Sequence, residues 1–293
     1  MNRREIPLIE MFDYGQENLR RRGFVAMPFL DSISLDPSHL SPHYHDFYQV
    51  SLLTGNCRLM HDFRETEASG NTLFFLSPGQ VHTMRPDDDI QGTIISFTRE
   101  FADHPSGMLL DLPIFHPSDA APWLKLDAGQ AVIVRGLFES IQSEFDSGLP
   151  HAEEAMKSLL TLLLVKSSRW KGGENSNSRS GRSGMLIRRF QQEVELRFLD
   201  WQTLAPYARL LGVTANYLND VVKDETGISA GEHIRSRRLL DAKRLLLHSE
   251  LSVSEIGYRL GFKDPSYFSR FFRRYEKVTP MSFRSEIREK YQK

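Results

Sequence analysis

The spacing of apolar residues changes along the chain, and each change marks a different kind of structure. Between Arg22 and Phe101 the apolar residues form short runs rich in branched and aromatic side chains, and Gly, Pro, Asn and Asp separate these runs. The segments 47–53, 72–76 and 92–97 are typical of strands. Several short strands at this spacing predict a β-sandwich or a small β-barrel.

Apolar residues then recur at helical spacing over 128–146 and 151–170. This pattern predicts two amphipathic helices in succession, an αα-hairpin. The apolar positions are Val132, Val134, Leu137, Phe138, Ile141 and Phe145 in the first helix and Met156, Leu159, Leu160, Leu163 and Leu164 in the second. Two interpretations stay open and are compatible: the helices pack against the predicted sheet, or they form a seam between two copies of the chain.

The segment 172–184 consists of Gly, Ser, Asn and charged residues and cannot contribute to a core. We predict that it is a flexible linker between two domains, 1–171 and 185–293. The pattern after it is helical as far as about Glu289. The chain is therefore predicted to be an α+β multidomain protein, with a β-sandwich or small β-barrel and a helical hairpin before the linker and an all-α domain after it.

A helix-turn-helix pattern lies in the first part of the helical stretch. A short helix predicted over 203–210 is followed by Gly212, which can take the left-handed conformation that ends a helix. Thr214 can then cap a second helix over 215–223. The apolar residues that this second helix would bury are Leu218, Val221 and Val222.

The same pattern returns about fifty residues later. Ser252 or Ser254 can cap a short helix that ends at Gly261. Asp264 is a suitable N-cap for a second helix over 265–275. Pro265 suits the first position of that helix, because the N–H that proline lacks would have no partner within the helix there. A long helix over 230–247 lies between the two units and can pack against both. The aromatic residues Phe268, Phe271 and Phe272 would also fit a plain helical bundle, but such a bundle does not explain the repetition.

Charge separates the two halves of the chain. Residues 185–293 carry 20 Lys+Arg against 14 Asp+Glu, whereas residues 1–184 carry 17 against 24. A basic C-terminal half next to an acidic N-terminal half is compatible with binding of a polyanion such as nucleic acid.

Composition points to the cytoplasm. Cys57 is the only cysteine, so an internal disulfide is impossible, which agrees with a reducing compartment. No run of about 18 apolar residues occurs, and the first residues lack the apolar stretch of a signal peptide. We therefore expect neither a membrane span nor export.

Residues 185–288 resemble the DNA-binding domain of AraC-type (AraC/XylS) transcription regulators. The matching segments are 256–275 (IGYRLGFKDPSYFSRFFRRY), Val278-Thr-Pro, Phe283-Arg, 211–214 (LGVT), Tyr217-Leu, 223–228 (KDETGI) and 237–246 (RRLLDAKRLL). Two positions depart from the family pattern. Gly257 stands where a small Ala is usual, and Glu276-Lys277 stands where an aromatic residue followed by Gly is common, which bears on the C-cap of the last recognition helix.

The resemblance implies that the second helix of each unit enters the major groove of double-stranded DNA, in two successive grooves about 34 Å apart. By position, the base-facing residues are Asn216, Asn219, Asp220, Ser266, Ser269 and Arg270, and the phosphate contacts are Lys223, Arg273 and Arg274. Arg suits guanine and Asn suits adenine, whereas Asp220 repels phosphate unless it accepts from a cytosine amino group. Activation and repression both stay open, with RNA polymerase as a further partner.

The first domain carries a weaker resemblance to cupins, through His43-Tyr-His45, Gln49, Gly55, Pro78-Gly79 and His82. Metal-binding cupins use two His, a Glu and a later His, but here Gln49 stands at the Glu position. A neutral amide is a poor ligand for a divalent cation, so we expect no metal and no cofactor.

AraC-type regulators commonly bind a small-molecule effector in a cupin-like barrel, and the residues that would line it here are His43, His45, Gln49 and His82. Ordinary polar lining of the barrel mouth, or satisfied core positions, would also explain the histidines. Two other classes of function are compatible with parts of the sequence. A cupin-type metalloenzyme fused to a DNA-binding domain lacks the carboxylate ligand, and a purely structural DNA-binding protein leaves the first domain without a role. We therefore expect an effector-controlled, homodimeric transcription regulator and not an enzyme.

Overall fold

The computed structural model describes residues 7–11, 23–35, 37–87, 89–102, 112–115, 122–172 and 182–291. The chain divides into two compact units, Pro7–Gly173 and Glu174–Lys293. Among the described residues, no helix is long and apolar enough to cross a membrane.

The strands of the first unit are β1 (Leu8–Ile9), β2 (Phe24–Pro28), β3 (Tyr44–His45), β4 (Tyr48–His61), β5 (Arg64–Leu76), β6 (His82–Pro86), β7 (Gln91–Phe97) and β8 (Trp123–Lys125). β1 and β3 form a short parallel pair. The main sheet is antiparallel and has the order β2-β7-β4-β5-β8, and β6 also pairs with β4. A short helix, α1 (Phe29–Leu35), interrupts the stretch that the sequence predicted as strands.

Strand β4 organises this sheet. It pairs with β5 from Gln49 to His61, but on its other side it pairs first with β7 and then, from Cys57, with β6. Gly55 lies at this change of neighbour with a φ of 122°, and a Cβ there would lie 3.2 Å from the Cα of Ile90. A residue without a side chain is therefore required where β4 changes partner and the sheet bends.

The two faces of the sheet bury different apolar sets. The inner face includes Val25, Phe47, Leu53, Phe74, Met84 and Ile94. The outer face includes Phe24, Val50, Leu73, Phe75, Ile95 and Phe97, and it packs against the helical hairpin α2 (Ala128–Ser147) and α3 (Ala152–Gly172). The hairpin thus buries its predicted apolar stripes against the sheet, except that Val132 is 72% exposed.

The second unit is helical throughout its described residues. Its helices are α4 (Arg182–Arg197), α5 (Leu204–Leu210), α6 (Ala215–Thr226), α7 (Ala230–His248), α8 (Val253–Arg259), α9 (Pro265–Glu276) and α10 (Pro280–Tyr291). The two predicted helix-turn-helix units are confirmed as α5–α6 and α8–α9, with α7 between them.

The helices on either side extend into the predicted linker 172–184. Gly172 belongs to the last turn of α3, and Arg182 already begins α4. Gly184 is a buried residue of α4. The middle of the predicted linker, 173–181, lies outside the described residues.

Two arginines of α7, Arg238 and Arg237, connect it to its neighbours, and of these Arg238 is buried. Arg238 donates a hydrogen bond of 2.6 Å to the carbonyl of Leu260 at the end of α8, and its guanidinium lies 4.0 Å from the ring centre of Phe262. Burial lowers the pKa of Arg238 to about 10. Arg237 forms an ion pair of 2.6 Å with Glu195 of α4. The central helix is thus fixed on one side to the first helix of the domain and on the other to the second helix-turn-helix unit.

The two departures from the family pattern have local explanations. A Cβ on Gly257 would lie only 3.2 Å from the Cβ of Phe268, so the glycine makes room for a large side chain. Ala208 and Leu218 hold the equivalent positions in the first unit, and both are buried. At the other departure, Lys277 takes the left-handed C-cap conformation (φ 66°) that Gly227 takes in the first unit. The C-cap geometry is therefore kept without a glycine.

Two variants test whether Gly257 is needed to accommodate Phe268 between α8 and α9. Gly257→Ala should destabilise the domain by about 1–2 kcal/mol, because overpacking outweighs the better helix propensity of Ala. The double variant Gly257→Ala/Phe268→Leu reproduces the Ala–Leu pair of the first helix-turn-helix unit. Its loss in free energy of unfolding should be smaller, by about 1 kcal/mol, than the sum of the losses of the two single variants. Urea unfolding measures both effects.

Gly231→Ala is the matched control in the same domain. Its added Cβ would meet only the tip of the Arg235 side chain, 3.1 Å away, which can move aside. Stability should stay equal or rise by up to about 1 kcal/mol. If Gly257→Ala behaved like this control, the contact with Phe268 would not constrain the packing of the two helices.

Candidate DNA interface and effector site

The second helices of the two units, α6 and α9, are built alike. Each has 12 residues and follows a glycine with positive φ, Gly212 or Gly261. Thr214 caps α6 by accepting a hydrogen bond of 3.2 Å from the amide of Tyr217, and Asp264 caps α9 by accepting one of 2.8 Å from the amide of Ser266. The shared design fixes equivalent side chains at equivalent places on two helices.

The predicted DNA-contacting residues share one face of each helix. Their spacing of three, four and seven residues places side chains on the same side. Asn216, Asp220 and Lys223 of α6 are exposed and Asn219 is half-buried; Ser266, Arg270, Arg273 and Arg274 of α9 are exposed and Ser269 is half-buried. The opposite faces hold the buried residues Leu218 and Val222 in α6 and Phe268, Phe271 and Phe272 in α9.

The two faces differ sharply in charge. Asp220 and Arg270 hold the same position in their respective helices. Lys223 is the only basic residue of α6, beside three acidic ones, whereas α9 has three arginines and one glutamate. A DNA backbone would therefore attract α9 much more strongly than α6.

Arg270 is available for an external contact. Its guanidinium lies 3.8 Å from the carboxylate of Asp264, but these side chains are 71% and 56% exposed. Ion pairs this exposed contribute little, since water and salt screen them. Exchange of Asp264 for a DNA acceptor would therefore carry little energetic penalty.

Two tyrosines were missed by the sequence reasoning. Tyr217 and Tyr267 hold the same position in α6 and α9, one turn from the N-terminus, and are 47% and 56% exposed. A phenol hydroxyl can donate to a phosphate oxygen, so both join the candidate interface. The signal was present in the sequence, because Tyr recurs after each cap at an interval of fifty residues.

In the N-terminal domain, Pro7–Gly173, three of the predicted effector residues come together. His43 and His82 form an isolated bridge with backbone hydrogen bonds of 3.0 and 2.9 Å, and Gly79 donates to the carbonyl of His45 at 2.8 Å. The ring centres lie 4.2 Å apart for His43 and His82, 4.6 Å for His45 and His82, and 5.0 Å for His43 and His45. All three side chains are buried. We call these residues the histidine cluster.

The hydrogen bonds of the histidine cluster define its protonation. Nδ1 of His43 lies 2.8 Å from the carbonyl oxygen of Ser41, and Nδ1 of His82 lies 3.1 Å from that of Gln80. A carbonyl oxygen only accepts, so both Nδ1 atoms carry the proton. Burial, followed by the charge of neighbouring histidines, holds the pKa of His45 and His82 well below the usual range. Both rings are therefore neutral near pH 7, and Nε2 of His82 keeps its lone pair.

Gln49, the fourth predicted effector residue, has a different set of partners. Its Nε2 donates to the hydroxyl of Ser51 at 3.0 Å, and its Oε1 accepts from the hydroxyl of Ser96 at 3.3 Å. These three residues are buried. Both ends of the amide are thus satisfied within the sheet.

An antiparallel sheet with buried polar groups, joined in one chain to two helix-turn-helix units, is the architecture of a DNA-binding transcription regulator. Comparison with known proteins agrees. The family model described as AraC-like ligand binding domain matches residues 33–164, and the one described as Helix-turn-helix domain matches residues 207–286. The chain belongs to the AraC/XylS-type transcription regulators.

The relatives cover both domains. The HTH-type transcriptional activator RhaS of Enterobacter sp. (strain 638) is 26% identical over 279 residues, 88% of this chain and 97% of that protein. RhaS of Escherichia coli (strain SMS-3-5 / SECEC) is 27% identical over 263 residues, 86% and 92% of the two chains. The C-terminal domain of AraT, a response regulator from Geobacillus stearothermophilus, is 33% identical, with 36% of this chain and 88% of that domain covered and a TM-score of 0.34.

Proposed function

We propose that this regulator reads its DNA site through the equivalent faces of α6 and α9 and responds to a small molecule bound in the first domain. The observation that carries the proposal is the matched pair of capped helices, each with an exposed polar face. In α6 the base-reading residues are Asn216, Asn219 and Asp220. In α9 they are Ser266, Ser269 and Arg270.

The charge difference between the two helices assigns them different tasks. Arg273 and Arg274 at the end of α9, with Lys223 of α6, contact phosphates and position the protein on the duplex. Arg270 donates two hydrogen bonds to a guanine, and Asp220 accepts from a cytosine amino group. The second unit therefore supplies most of the attraction to the DNA backbone, and the first unit adds discrimination between bases.

The effector site is the buried polar part of the N-terminal domain. His43, His45, Gln49 and His82 offer a few polar groups among apolar neighbours, the composition typical of small-molecule sites. Because both RhaS relatives are transcriptional activators, we propose activation, with RNA polymerase as a contact on the DNA. The protein acts in the cytoplasm and catalyses no reaction.

The first test separates reading from positioning on α9. Arg270→Ala should lose about 1–3 kcal/mol of affinity for the cognate site and much less for random DNA, because a bidentate contact to guanine is lost. Arg273→Ala should weaken binding to both duplexes about equally and lower the salt slope by roughly one unit. Titrations over a salt series, with a site selected by the protein from random sequences, measure both. Equal losses of Arg270→Ala on the two duplexes would contradict this placement of α9.

We also propose a homodimer formed through the hairpin α2–α3. Most of the apolar stripe is buried against the sheet, but Val132, Ile133 and Leu162 remain 72%, 42% and 44% exposed. Exposed branched residues on the surface of a packed domain are what a dimer interface would cover.

The dimer can be tested in the full-length chain by sedimentation at micromolar concentration. Val132→Arg/Ile133→Arg should convert a dimer to a monomer, because two charges would be buried without partners in the interface. Leu149→Arg is the control: Leu149 is 64% exposed in the turn between the helices and should leave the dimer unchanged. A monomeric wild type, or a double variant that stays dimeric, would place the interface elsewhere.

A further inference from the structure

Within the described residues, the histidine cluster is the one group of three or more His, Cys, Asp or Glu side chains whose ligand atoms are close enough to hold a metal ion. One ring nitrogen from each of His43, His45 and His82 lies within 4.8 Å of the other two. Neither ring nitrogen of His45 has a hydrogen-bond partner among the described residues, although the side chain is only 3% exposed. A buried polar group without a partner is destabilising, so this arrangement calls for a ligand.

The orientation of two rings adds a second, independent observation. In a neutral imidazole, a proton on Nδ1 leaves the lone pair on Nε2. His43 and His82 have their Nδ1 atoms held by the backbone carbonyls of Ser41 and Gln80. Histidine ligands of metals are commonly fixed in this way, with the remote nitrogen bonded to a carbonyl and the other directed at the ion.

We infer that His43, His45 and His82 bind a divalent transition-metal ion of the zinc type, through one nitrogen of each ring. Three imidazoles favour Zn²⁺, Ni²⁺ or Cu²⁺ over Mg²⁺ or Ca²⁺, which prefer oxygen ligands. Bonds of about 2.0–2.1 Å place nitrogens roughly 3.3 Å apart, so the ring nitrogens must approach one another by up to about 1.5 Å. His45 can make this movement because no hydrogen bond holds its ring.

This inference replaces the expectation of a metal-free barrel. That expectation depended on Gln49 as a failed fourth ligand, but the amide of Gln49 is hydrogen-bonded to Ser51 and Ser96. The ligand set is then three neutral imidazoles with at least one open coordination position. Zinc sites with three protein ligands and an open position are common.

The test measures zinc in the full-length, tag-free protein. The chain is treated with a chelator, incubated with excess Zn²⁺, desalted and analysed for metal, with thermal unfolding as a second readout. The wild type should retain stoichiometric zinc and unfold at a higher temperature when zinc is present. His45→Phe should lose zinc affinity at least tenfold and still fold, because a phenyl ring keeps the stacking on Phe47, 4.4 Å away, and removes both unpartnered nitrogens.

His82→Asn should lose zinc in the same way. His151→Asn is the control for adventitious binding: His151 is exposed, and Asn tolerates its positive φ of 65°. This control should behave like the wild type. With Co²⁺ as the probe, the wild type should show visible absorption bands that His45→Phe lacks.

Two results would overturn the inference: a wild type that retains no stoichiometric zinc, or retention at the wild-type level by either cluster variant. Neither DNA nor a small-molecule effector is present in these measurements. Failure of zinc binding would therefore leave the proposed DNA reading and effector response untouched, and failure of those would leave the metal site untouched.

Discussion

The buried guanidinium of Arg238 constrains the geometry of the whole DNA-binding domain. A protein that reads two successive major grooves must hold its recognition helices about 34 Å apart and in a fixed orientation. Here α7 provides the frame, and Arg238 bonds it to the carbonyl at the end of α8 while stacking on Phe262. An arginine buried this deeply is costly without compensation. The hydrogen bond and the ring contact provide part of it only when α8 is in place, so the side chain favours one arrangement of the second unit.

Within that frame, the two helix-turn-helix units share a backbone but not side-chain volume or charge. The first unit packs Ala208 and Leu218 where the second packs Gly257 and Phe268, so a larger aromatic core is matched by the loss of one methyl group. The outer faces diverge further, since Asp220 stands where the other helix has Arg270. Because the two units share a backbone geometry but differ in surface chemistry, they can recognise two different base sequences on one continuous stretch of DNA.

Local signals in the sequence were sufficient for most of the helical domain. Caps such as Thr214 and Asp264, and the glycines before them, act over a few residues, so their spacing alone locates each helix. The sheet was predicted only as a class, because the change of neighbours along β4 depends on contacts with β6 and β7 that no local pattern encodes. The helices α3 and α4 reach into the predicted linker, to Gly172 and from Arg182, because helix ends are set by hydrogen bonds along the backbone that a Gly- and Ser-rich composition does not report.

The roles of the polar residues in the first domain also depend on contacts that are distant in the chain. By position in a motif, Gln49 looked like a defective ligand beside three histidines. In three dimensions its Oε1 accepts from Ser96, which is 47 residues away in the chain, and the amide has a structural role.

The buried polar groups of the first domain are thus of two kinds. Gln49, Ser51 and Ser96 satisfy one another, whereas the ring nitrogens of His45 have no partner among the described residues. An unsatisfied buried polar group typically costs about 1–3 kcal/mol. The fold bears that destabilisation at His45, which is why we assign the histidines, rather than the amide, to the binding of the metal ion.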